Sequence, residues 1–146
     1  MIGLAKMKMT PPSTIRKNHK DLEKILESHK LWLEYSGQKG RRADFSRANL
    51  HVADLSGANL SKTNLYCAYL SGANLFNANL SFANLLGANL SEADLSGVDL
   101  TRASLSFANL RGADLRVATA KGCWIKGVRF SSPKDRARLL MLGAWE

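Results

Sequence analysis

The chain has little of what chemistry usually requires. Cysteine is scarce: Cys67 and Cys123 lie far apart in 146 residues, with no Cys-x-x-Cys or Cys/His ligand spacing. That excludes a disulfide scaffold and a zinc site and leaves two reduced thiols. The histidines are His19, His29 and His51, and none has a second His or a carboxylate at ligand spacing on a shared helix face. His29 reads as a packing residue, and no metal site is expected. No phosphate loop, nucleotide motif or nucleophile elbow occurs. Asp44, Asp54, Asp94, Asp114 and many serines recur in ladders, but a ladder without a base or a cleft is not a catalytic constellation. The expectation is no enzyme, no catalytic residue and no cofactor. Long apolar runs are also absent, and Lys6 and Lys8 break up the opening Met1-Ile2-Gly3-Leu4-Ala5, which does not read as a secretory leader. A cytoplasmic protein without a membrane partner is expected.

Acidic charge is the minority, and its balance shifts along the chain. The formal charge is +9, with +6 in residues 1–42, −1 in residues 43–117 and +4 in residues 118–146. The middle is close to neutral and the ends are basic, so a partner drawn by charge meets the ends first. Apolar residues at 45% and charged residues at 23% match a globular chain, and the length fits one small domain.

What the chain has in abundance is a period of five. From Phe45, an apolar residue returns at Leu50, Leu55, Leu60 and every fifth position through Leu115, fifteen pentads in register. Two residues earlier stands Ala, except at Thr63 and Val98, and between the two sits Asp or Asn almost every time. On a helix this period turns about 140° per repeat and scatters the leucines around the axis; on a flat strand it flips them between faces. Within one pentad, as in Ala58-Asn59-Leu60, the two apolar residues share one side of a short extended piece. Pairs such as Ser56-Gly57 and Ser71-Gly72 then turn the chain. Repeated in one sense, extended piece and corner wind into an all-β solenoid with the leucines inside.

This Ala-(Asp/Asn)-Leu-X-X pattern over residues 43–117 resembles the pentapeptide repeat proteins. The resemblance implies a right-handed quadrilateral β-helix with twenty residues per coil, coils stacked about 4.8 Å apart, and Leu and Ala pointing inward. Ala118-Thr119-Ala120, Cys123-Trp124-Ile125 and Val128-Arg129-Phe130 keep the register. The solenoid is therefore expected over 43–130, degenerate from 118, with a cavity or distortion near Ala120 and Cys123 facing inward.

Open solenoid ends expose unpaired strand edges, so both flanks are expected to act as caps. Residues 1–17 read as a flexible basic N-terminus. Over 18–42, Leu22, Ile25, Leu26, His29, Trp32 and Leu33 recur at helical spacing from an Asn18 cap, with Gly37 as the stop. The segment His29–Leu33, with Gly40-Arg41-Arg42-Ala43-Asp44-Phe45 after it, is similar to lead-ins of bacterial and phage members of the family. Over 131–146, Ser132-Pro133-Lys134-Asp135 reads as the start of a short helix that forms a C-terminal cap or a dimerisation segment. The resemblance allows a homodimer through Leu139, Leu140, Leu142 and Trp145.

Since the family is generally non-enzymatic, the reading is a rigid interaction module for a protein partner, inhibition being one outcome of that binding. With twenty residues per coil, Tyr66 and Leu86 become neighbours, with Cys67 and Phe107 in the adjoining column, and these four are the candidate partner-binding residues. Phe76, Phe82 and Tyr69 are weaker candidates on other faces. Two alternatives stand beside this. The family includes DNA mimics that modulate type II topoisomerases, but here the ladder is mostly Asn and only the column Asp54, Asn74, Asp94, Asp114 is acidic. The other alternative is nucleic-acid binding by the basic ends through Arg41, Arg42, Arg47, Lys126, Arg129, Arg136 and Arg138. No interleaved aromatic platform is visible for it in the linear sequence.

Overall fold

The computed structural model describes residues 19–146, so Asn18 and the basic segment before it lie outside the described residues. Helix α1, His19–Glu34, comes first, and helix α2, Pro133–Met141, lies near the end. Everything between is coil winding built from isolated parallel bridges. Each bridge joins residues twenty apart, from Asp44 with Asn64 to Asn109 with Arg129. Four pentads thus make one coil, and the pattern continues through Phe130.

The coil has four faces, named here by the residues at their centres. Face A stacks Asp44, Asn64, Asn84, Ser104 and Trp124; face B stacks Asn49, Tyr69, Asn89, Asn109 and Arg129. Face C stacks Asp54, Asn74, Asp94 and Asp114; face D stacks Asn59, Asn79, Asp99 and Thr119. Each flanking Ala and Leu points inward, and Leu60 through Leu105 are almost without solvent contact. Burial of each Leu stabilises the coil by roughly 1.5–3 kcal/mol. Val98 joins this core directly, whereas Thr63 does so by donating its hydroxyl to the Leu60 carbonyl at 2.7 Å.

Each corner is a turn closed by the Ala N–H onto the carbonyl three residues back, as from Ala48 to Phe45 at 3.0 Å. The second corner residue takes a positive φ, +55° at Arg47 and +60° at Phe107. A non-glycine residue there costs about 1–2 kcal/mol, offset by the ladder bonds that the turn permits. The Asp or Asn at the centre of the face explains its own recurrence. Its Oδ1 accepts the N–H of the first corner residue, as Asp44 does from Ser46 at 2.9 Å and Asn84 from Leu86 at 3.2 Å. Its amide also reaches the previous coil, Asn84 Nδ2 donating to Asn64 Oδ1 at 3.2 Å.

Both ends are covered. Helix α1 lays Leu22 and His29, both fully buried, on the first coil. Gly37, at φ +86°, ends it by donating to the Trp32 carbonyl at 2.7 Å. At Gly40 the chain passes so close to α1 that a Cβ would sit 2.0 Å from the Ser28 carbonyl oxygen. Helix α2 opens with a reciprocal capping box between Ser132 and Asp135, with Pro133 in its first turn. It buries Leu139 in the same core as the fully buried Ala120.

Two expectations change here. Residues 131–146 are more than a cap: after α2 the chain rejoins the solenoid, and Trp145 bridges Trp124, twenty-one residues apart rather than twenty. Trp145 N–H donates to the Cys123 carbonyl at 2.7 Å and Ile125 N–H to the Trp145 carbonyl at 2.8 Å. Leu139 is sealed inside the chain and is not available as a dimer contact, while Leu140 is half-buried against the core. Leu142 and Trp145 keep exposed surface.

Candidate interaction face

Stacking at twenty residues assembles corner columns that the linear sequence disperses. The corner between faces A and B carries Ser46-Arg47, Tyr66-Cys67, Leu86-Gly87, Ser106-Phe107 and Lys126-Gly127 in successive coils. Backbone bonds tie them together: Arg47 N–H to the Tyr66 carbonyl at 2.7 Å, Cys67 N–H to that of Leu86 at 2.9 Å, and Phe107 N–H to that of Lys126 at 2.8 Å. Tyr66, Cys67 and Leu86 are half-buried side by side. Phe107 stands one coil beyond Leu86, 59% exposed, and leans over Gly127 of the following coil.

The corner between faces D and A is also aromatic and basic. It carries Lys62, Phe82, Arg102 and Gly122. The Arg102 guanidinium lies 5.8 Å from the Phe82 ring centroid, and Arg47 holds the same distance from Tyr66. Face A itself changes character toward the C-terminal end, where Trp124 and Trp145 replace the small polar residues. Their centroids are 5.2 Å apart with the rings edge to face, and they are 46% and 51% exposed. Phe82, 49% exposed, is therefore not alone on its face, since Arg102 stands beside it in the same column. Stacking the coils also brings aromatic rings beside basic side chains, as at Phe82 with Arg102 and Tyr66 with Arg47. Trp124 and Trp145 meet only because α2 loops out between them.

The sequence-predicted basic residues divide. Arg42, Arg47 and Lys126 border face A, with Arg42 Nε donating to the Lys62 carbonyl at 2.7 Å. The Arg41 backbone N–H is held by the Ser28 hydroxyl at 2.9 Å. Arg129 sits on face B, and Arg136 is ion-paired with Glu146. Arg138, on α2, is exposed. On face C, Asp114 is gripped by Arg116 at 2.6 Å, which holds its carboxyl below the usual range, and Asn74 donates to Asp54 at 3.2 Å. This column is interrupted and partly neutralised.

The remaining candidate groups are structural in their geometry. His29 Nδ1 accepts the Ala43 N–H at 3.1 Å, so Nε2–H donates to the Ser61 carbonyl at 2.9 Å. The ring stacks on Trp32 at 5.7 Å, and burial pushes its pKa down. Cys123 is fully buried, and its thiol is pushed up to about 12 by burial. Among the described residues no cluster of His, Cys, Asp and Glu could hold a metal ion, and no helix is long and apolar enough to cross a membrane.

Comparison with known proteins agrees with this geometry. The pentapeptide repeats family matches residues 43–81, 78–116 and 93–131, in eight copies. The chain is similar to the crystal structure of Rfr23, a pentapeptide repeat protein of the cyanobacterium Cyanothece 51142. The two are 37% identical over 66% of this chain, with a TM-score of 0.53, and the match spans 65% of that protein's length. It is also 34% identical to a pentapeptide repeat protein of Nostoc PCC 7120, over 79% of this chain and 91% of that one, with a TM-score of 0.37. No curated protein matches.

Proposed function

This chain belongs to the pentapeptide repeat family, and from that premise we propose that it is a non-enzymatic interaction module that binds a protein partner with face A and the corner beside it. The right-handed, four-sided winding that the family resemblance implies is part of this reading. A coil whose backbone bonds recur at every step holds its surface residues at fixed spacing, so little ordering entropy remains to be lost on binding.

The observation that carries the reading is a change of side chain on an unbroken ladder. Elsewhere the first corner residue is most often Ser, whose hydroxyl at Ser56, Ser81, Ser91 and Ser96 bonds back to its own Asp or Asn, but at one corner Tyr66 and Leu86 stand in contiguous coils, with Cys67 beside them and Phe107 beyond. Apolar and aromatic groups contiguous in one corner column, bordered by Arg47 and Lys126, have the make-up of an interface centre. The test is Leu86→Arg. It should abolish capture of the protein partner from nuclease-treated lysate while the far-ultraviolet circular dichroism spectrum stays that of the parent. Unchanged capture removes this face from the proposal.

A further inference from the structure

We infer that the C-terminal end of face A is a platform for single-stranded nucleic acid, a second ligand beside the protein partner proposed above. Along the D–A corner, Phe82 lies under the Arg102 guanidinium. The Arg102 stem and the Trp145 ring converge over Gly122, where a Cβ would meet Arg102 Cγ at 3.4 Å and Trp145 at 3.5 Å. Trp124 then meets Trp145 edge to face. The result is one strip of ring, cation, ring and ring on consecutive coils. At the usual strand spacing it is about 15 Å long, room for a few unstacked nucleotides.

The strip is not explained by folding. Both tryptophans stand where face A otherwise carries Asp44, Asn64, Asn84 and Ser104, and about half of each remains in solvent. Gly122, at φ +66°, lies between Arg102 and Trp145, within van der Waals reach of both.

The charge around the strip selects the ligand. Lys121 and Lys126 are exposed on the two corners flanking Trp124, and Arg102 adds a third cation. Two carboxylates of these last coils already have partners. Asp99, on face D, accepts the Thr101 N–H and the Thr119 hydroxyl, and Glu146 is ion-paired with Arg136. Cations call for a polyanion and half-exposed aromatic rings offer surface for stacking, a combination that single-stranded nucleic acid uses. An acidic peptide offers the charge without the planes. A duplex keeps its bases stacked on one another and out of reach of the rings.

The test titrates the full chain with oligothymidylate and oligouridylate at low salt, following tryptophan fluorescence. Saturable quenching is expected, with an affinity that falls as about the second power of salt for three phosphate contacts. The difference between the two oligomers tells DNA from RNA. Trp124→Asn, which copies Asn84 two coils earlier in the same column, should weaken binding about tenfold or more and remove most of the quenching. Lys126→Glu should weaken it and flatten the salt dependence, whereas Leu86→Ser, which removes the apolar group without changing charge, should leave it unchanged, which separates this site from the protein-binding one. No binding at low salt, equal binding of duplex, displacement by polyglutamate at matched charge, or full affinity in Trp124→Asn would each overturn the inference.

Discussion

Phe107 and Gly127 are partners across two coils: a Cβ on Gly127 would come within 2.6 Å of Phe107 Cδ1 and 2.7 Å of Cε1. The same arrangement recurs where Val52 faces Gly72, Cys67 faces Gly87 and Asn77 faces Gly97. A corner side chain folds over the next coil, so the residue twenty further on must leave space. Gly127→Ala should therefore lose both the φ +67° conformation and the Phe107 seat, whereas Gly57→Ala, with nothing within 4 Å, loses only the first. The backbone part is about 1–2 kcal/mol. Urea unfolding should rank Gly127→Ala as the more damaging, and Phe107→Ala should bring the two into line.

His29 predicts a pH dependence. Its folded pKa lies below the ordinary 6.5, because the ring is buried with Nδ1 occupied by the Ala43 N–H. The unfolded chain takes up a proton as pH falls through 6.5, before the folded chain does. His29 thus contributes stability that is complete above about 6.5 and drains away as pH falls from there toward the folded pKa. Thermal unfolding between pH 7.5 and 5.5 should show the decline in the parent and a flatter profile in His29→Phe, at lower neutral-pH stability.

The burial of Leu139 predicts that α2 belongs to the monomer's core. Leu139→Ala should cost about 2–5 kcal/mol, measured at a dilution where sedimentation shows a single chain. Loss of stability only at concentrations that support a dimer would contradict that placement.

The thiols should react at very different rates. Cys123 is enclosed and its pKa is pushed up to about 12, whereas Cys67 is half-buried, with Sγ 3.1 Å from where a Cβ on Gly87 would lie. A maleimide at neutral pH should modify Cys67 first and leave Cys123 until the chain unfolds, as mass spectrometry of the labelled peptides would show.

The solenoid was legible because its signal is a strict count. Fifteen pentads in register admit few other ways to gather the leucines, and the same count put Tyr66 beside Leu86 and carried the coil through Phe130. The count fails where the chain leaves it. Helix α2 displaces Trp145 by one residue from the twenty-residue register, so its pairing with Trp124 could not be reached by stepping along the sequence. The Trp145 end of the proposed strip was hidden for that reason, whereas Phe82 and Arg102, twenty residues apart, lay within the count. Gly40 and the two backbone bonds of His29 were hidden for another, since both depend on how closely α1 is set against the first coils.

Central to this account is that one corner of the coil meets the protein partner and the opposite one does not. Two arginine substitutions separate them: Leu86→Arg beside Tyr66, and Ser96→Arg on the diagonal corner between faces C and D, where Arg116 already stands in the same column. Each variant and the parent would be used to capture proteins from nuclease-treated lysate, and the captured proteins quantified by mass spectrometry. The account predicts a protein held by the parent and Ser96→Arg but lost from Leu86→Arg with the fold intact. Equal retention by both variants, or loss from Ser96→Arg alone, would contradict it.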